Sequence, residues 1–107
     1  MEEKKSFLQK KIDFNSPNKN IVPITTSIGS DGKLSIGGCS LEELVKKYDS
    51  PLYILDELTL RNSCRAYKKA LETYYPGKSL PIYASKANSS IFMSSLVSSE
   101  GFGLDGV

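Results

Sequence analysis

Few residues in this chain combine the type and the placement that chemistry needs, and Lys86 stands out among them. It lies in the run Ile82-Tyr83-Ala84-Ser85-Lys86-Ala87-Asn88. A short apolar strand leads into the lysine, and a polar residue suited to start a helix follows. Side chains alternate faces along a strand, so Ile82, Ala84 and Lys86 share one face and Tyr83 and Ser85 the other. Apolar neighbours disfavour an ammonium, which makes Lys86 a candidate Schiff-base nucleophile. The same placement suits a lysine whose amine reaches out to solvent. On spacing alone, that plainer reading stands ahead.

Other chemistries are thinly supplied. The chain contains no histidine. Histidine-based acid–base work, Ser-His-Asp and Cys-His nucleophiles and the common zinc sites are therefore absent from its 107 residues. Cys39 and Cys64 are far apart and read as free thiols of a reducing compartment. A net charge of +2, with no basic run interleaved with aromatics, argues against a nucleic-acid partner. No apolar run approaches the ~20 residues of a membrane span, so no membrane partner is expected. Residues 1–11 lack the apolar stretch of a secretory signal, and a cytoplasmic location is expected.

The elements around Lys86 follow from the pattern. Residues 1–20 are polar and aperiodic, and read as a disordered or linker N-terminus. The β-branched stretch 21–28, a turn at Ser30-Asp31-Gly32-Lys33 and the alternating Leu34-Ser35-Ile36 predict a β-hairpin over 21–38, ended by Gly37-Gly38. Ser40-Leu41-Glu42-Glu43 has the form of a capping box opening a helix over 41–48. Asp49-Ser50-Pro51 ends that helix, and the apolar run 52–55 has strand length. Asp56 can cap a helix over 57–74, with Leu60, Cys64, Tyr67 and Leu71 on its buried stripe. Arg61, Arg65, Lys68, Lys69 and Glu72 form its solvated face, with Glu57 and Arg61 paired at i,i+4. A strand over 79–85, a serine-rich helix over about 89–99 capped by Asn88 or Ser89, a Gly101 C-cap and a strand from Phe102 complete the chain. Strand and helix alternate from residue 52 onward, which argues for parallel βα units. The fold class is α/β.

Tyr83-Ala84-Ser85-Lys86-Ala87-Asn88 resembles the Tyr-Ala-x-Lys-Ala-Asn signature of the pyridoxal-phosphate-dependent ornithine, diaminopimelate and arginine decarboxylase family, whose fold is an alanine-racemase-like barrel. Leu34-Ser35-Ile36-Gly37-Gly38 with Ser40-Leu41-Glu42-Glu43-Leu44, and Ser50-Pro51-Leu52-Tyr53-Ile54-Leu55-Asp56, are similar to the lead-in of the diaminopimelate-specific branch. Gly101-Phe102-Gly103-Leu104-Asp105 is similar to the approach to the second barrel strand. The resemblance runs from about residue 31 to the end.

It implies that Lys86 holds pyridoxal 5'-phosphate (PLP) as a Schiff base. It also implies decarboxylation of meso-diaminopimelate to L-lysine and a homodimeric enzyme. Asp105 would lie near the cofactor; a strand-end cap reads that residue equally well. Neither cysteine corresponds to the family's catalytic cysteine, and Leu-Asp-Gly-Val at 104–107 departs from the usual continuation.

A (β/α)8 barrel takes about 250 residues. The expectation is therefore an N-terminal fragment: a linker over 1–20, a hairpin over 21–38 belonging to the second, β domain, and the first βα units of the barrel over 39–107. Such a fragment is expected to be inactive alone, with exposed strand edges. Two alternatives stand beside it. One is a decarboxylase of the same fold acting on ornithine, arginine or carboxynorspermidine. The other is a small α/β domain without catalysis.

Overall fold

The structure is a computed structural model and describes residues 17–106. Most of the expected N-terminal linker lies outside the described residues. Within it, a turn closes where the Ile21 amide donates to the Asn18 carbonyl at 3.1 Å. The chain divides into two compact units, one up to Thr59 and one from Leu60 onward.

The first unit holds a small antiparallel sheet of three strands, β1 (Ser27–Ile28), β2 (Leu34–Ile36) and β3 (Cys39–Ser40), in that order. Ser27 pairs with Ser35 in register, and Ser35 pairs in turn with Ser40. The expected hairpin is present, but its first strand is two residues long because turns occupy most of 21–26. The third strand was not expected. Gly37 and Gly38 take φ of +60° and +77°. Two successive positive φ values make a tight turn whose twist matches a hairpin, and glycine adopts them without strain. The glycine pair therefore reverses the sheet instead of ending it.

Helix α1 (Leu41–Tyr48) has the expected bounds. Its cap differs from expectation, because the Ser40 side chain makes no capping hydrogen bond. Beside it, Glu42 accepts from Lys33 Nζ at 2.7 Å, in an exposed pair. Residues 52–55 take no regular secondary structure and join no strand ladder among the described residues. Their apolar character suits a strand, yet a ladder needs a paired neighbour. Leu52 and Ile54 are half-buried while Tyr53 is almost fully exposed. Asp56 caps helix α2 (Glu57–Tyr74) as expected, accepting from the Thr59 amide at 3.1 Å.

The second unit packs most of α2 and a third helix, α3 (Ile91–Ser99), with a parallel pair of strands, β4 (Ile82–Ala84) and β5 (Gly103–Asp105). A 3-10 turn over Ser85–Ala87 follows β4 directly. The Ser90 hydroxyl caps α3 by accepting from the Met93 amide at 3.3 Å, one residue beyond the expected cap. Asn88 Oδ1 accepts from the Ser90 amide, so Asn88 shapes the approach to the helix. At the far end, Phe102 N–H bonds to the Val97 carbonyl and Gly101 N–H to the Ser98 carbonyl. Gly101 sits at φ +84°, which makes this the Schellman ending that favours glycine.

The core of this unit is Cys64, Met93, Leu96 and Val97, with Leu60, Tyr83 and Phe102 packed against it. Within the expected α2 stripe, Cys64 is buried and Leu60 and Leu71 are half-buried, whereas Tyr67 is 68% exposed. The expected solvated face needs a further correction. Arg61 Nη1 and Arg65 Nη2 both donate to Glu100 Oε1, at 2.9 and 3.1 Å, and Arg61 also donates to Ser99 Oγ. Two cations of α2 thus hold the carboxylate that follows α3.

The hydrogen bonds from Arg61 and Arg65 keep the Glu100 carboxyl below its usual range. A carboxylate with a depressed folded value stabilises the fold above its unfolded value, about 4.3. That contribution is lost as pH falls through the folded value. The thermal midpoint, followed by circular dichroism, is expected to drop on acidification below that range. Glu100→Gln should be less stable at neutral pH and should show a shallower acid slope. Parallel acid slopes for the two proteins would rule Glu100 out as a source of the effect.

Candidate active site

The site is built at the carboxyl end of the parallel strand pair. The register sets Ile82 beside Gly103, Tyr83 beside Leu104 and Ala84 beside Asp105. Ladder partners share a face, so Ala84 and Asp105 lie on one side of the pair. Tyr83 packs into the core on the other side. Ile82, Ala84 and Asp105 are all exposed, which leaves their side of the sheet open.

Lys86 does not continue the strand. β4 ends at Ala84, and Lys86 is the middle residue of the 3-10 turn. The expected common face of Ile82, Ala84 and Lys86 therefore holds for the first two only. A 3-10 turn advances by a third of a rotation per residue and breaks the strand alternation. Lys86 is exposed, and its amine has no hydrogen-bonding or ionic partner among the described residues. The burial among apolar neighbours expected for this lysine is thus not found. Topology does bring the two candidate residues together: Lys86 and Asp105 stand at the same end of adjacent parallel strands.

Two further residues of this region were missed in the sequence. Ser85 Oγ donates to the Asp105 carbonyl at 2.5 Å, and the Tyr83 hydroxyl donates to the Asn88 carbonyl at 3.0 Å. Their hydroxyls were visible in the motif, but nothing in spacing says which carbonyl a hydroxyl will reach.

The other reactive groups stand apart from this chemistry. Cys39 and Cys64 are both free thiols. Burial pushes the Cys64 thiol above its ordinary range, which keeps it protonated and a poor nucleophile. Cys64 lines an apolar cavity of about 170 Å³ in the core, with Leu60, Tyr83, Met93, Leu96 and Phe102 among its walls. Among the described residues no three His, Cys, Asp or Glu side chains gather to hold a metal, and no helix is long and apolar enough to cross a membrane.

No protein-family model matches the chain. Individual proteins do. A diaminopimelate decarboxylase from Synechocystis sp. is 48% identical over 90 residues, which is 84% of this chain and 19% of that protein. The chain is a relative of the diaminopimelate decarboxylases. Those of Bacillus methanolicus and Bacillus subtilis are 39% and 37% identical over 81 residues, 76% of this chain and 18% of each protein. The chain therefore spans about a fifth of the length of the diaminopimelate decarboxylases it matches. A 90-residue match within 107 residues takes in Lys86 wherever it begins. The lysine turn thus lies inside the stretch shared with the Synechocystis decarboxylase.

Proposed function

We propose that this chain supplies the cofactor lysine of a PLP-dependent decarboxylase that converts meso-diaminopimelate to L-lysine and carbon dioxide. The observation that carries the reading is the exposed amine of Lys86, without a partner among the described residues, at the carboxyl end of a parallel strand pair. It lies within a stretch 48% identical to a diaminopimelate decarboxylase, which favours that substrate over ornithine or arginine. The β4–β5 pair with its flanking helices would form the first part of a longer (β/α)8 barrel, in a protein that works as a homodimer.

The residues present fit the cofactor. An aldehyde needs an accessible amine with no competing partner, and Lys86 has one. Lys86 Nζ would bind PLP covalently. Asp105 would place a carboxylate at the same end of the sheet, where a negative charge favours a protonated ring nitrogen. When bound, PLP supplies an electron sink for the bond broken as carbon dioxide leaves.

The test is chemical. Incubation with PLP, borohydride reduction and proteolysis are expected to leave a phosphopyridoxyl group on the peptide containing Lys86, read by mass spectrometry. Labelling elsewhere with Lys86 unmodified would sink the proposal. Carbon dioxide release from meso-diaminopimelate, ornithine and arginine, each offered to the longer protein, separates the substrates.

A further inference from the structure

The ladder that orders β4 and β5 stops at the Ala84–Asp105 pair, so no strand pairing holds the backbone that carries Lys86. A single 3-10 turn has poor hydrogen-bond geometry and frays readily on its own. Here two side chains bracket it. Before the lysine, Ser85 Oγ reaches across to the Asp105 carbonyl at 2.5 Å. After it, the Asn88 carbonyl is held at 3.0 Å by the hydroxyl of Tyr83, whose ring is anchored against the core.

We infer that Ser85 is a positioning residue for Lys86, tying the lysine's turn to the strand end that bears Asp105. The inference rests on Lys86 being the cofactor lysine. Its consequence is that the Lys86 backbone and the Asp105 backbone move as one body. The Ser85–Asp105 bond holds the lysine's turn at that strand end, and Tyr83 closes the other end of the turn. Serine suits the role because its hydroxyl is short enough to reach a neighbouring strand's carbonyl while sitting next to the reactive residue. Alanine would leave the ladder intact and remove the tie alone.

The experiment compares the full chain with its Ser85→Ala and Ser85→Thr variants by two readouts. The first, without cofactor, is hydrogen exchange at the amides of residues 86–88. The second is the rate at which borohydride fixes PLP on Lys86. Ser85→Ala is expected to speed the exchange and slow the fixation, each by about tenfold, the worth of one net hydrogen bond. The thermal midpoint should fall by only the several degrees that one hydrogen bond is worth, with the chain still folded. Ser85→Thr keeps the hydroxyl and should restore both readouts to within about twofold.

Unchanged exchange in Ser85→Ala would overturn the tie. Faster exchange with wild-type fixation would overturn the positioning role. If the wild-type chain fixes no PLP on Lys86, the reading of Lys86 itself fails. Ser85 then has no cofactor lysine to position, whatever the exchange shows.

Discussion

If Lys86 is the cofactor lysine proposed above, replacing it with alanine in a protein that decarboxylates meso-diaminopimelate is expected to lower kcat by on the order of 10³-fold or more. Forming a Schiff base needs a primary amine at the strand end beside Asp105, and Lys86 is the lysine that follows β4 there. The substitution should cost little stability. Lys86 is exposed, sits in one short turn and has no side-chain partner among the described residues, so the change belongs with surface substitutions of about 0.5 kcal/mol or less. A thermal melt should therefore superimpose on that of the parent while the rate collapses, which separates lost chemistry from lost fold. Lys86→Arg provides the second arm. It keeps the charge, but its guanidinium is not deprotonated in proteins, so it should be equally inactive. Wild-type turnover in either variant would remove Lys86 from the mechanism.

What the sequence made legible depended on how local the controlling physics was. The bounds of α1 and α2 followed from periodicity and from terminating residues such as Asp49 and Asp56. The Schellman ending at Gly101 also has a local cause and was foreseen as a glycine cap. The capping box at Ser40, in which Ser40 and Glu43 would bond each other, did not form a side-chain cap.

The failures share a different cause. Residues 52–55 carry strand-forming side chains, but pairing is a property of two segments, and composition reports only one. Arg61 and Arg65 looked like a solvated face because their partner Glu100 lies about forty residues on, past a helix and a strand. At the candidate site, the motif picked out Lys86, and the family resemblance alone put Asp105 near it. The motif did not give the turn. A strand drawn through residue 85 put Lys86 on the face of Ala84, whereas the ladder stops at the Ala84–Asp105 pair and a 3-10 turn follows. That one-residue difference exposes the lysine and leaves Ser85 and Tyr83 to hold its backbone.

The second large effect lies in the core that supports this turn. Leu96 is 2% exposed and is one of four buried apolar residues among the described residues of the second unit. Leu96→Ala is expected to cost about 2–4 kcal/mol, from lost transfer energy and the cavity left behind. The new void would open beside the existing cavity of about 170 Å³, whose walls Leu96 shares with Tyr83 and Phe102. That neighbourhood argues for the upper part of the range, because walls already lacking contacts on one side have little left to collapse against. A small domain's whole stability is of order 5–15 kcal/mol, so this is a large share of it. Urea titration followed by circular dichroism measures the effect, and Leu96→Met, which nearly conserves volume, should cost under about 1.5 kcal/mol. The loss should also reach the site. Tyr83 holds the Asn88 carbonyl from a ring seated in this core, so loosening the core loosens the lysine's turn. Below the unfolding transition, Leu96→Ala is therefore expected to speed amide exchange at residues 86–88 as well as in α3. A stable Leu96→Ala protein with an unaltered turn would mean that the turn is held by its strand end alone.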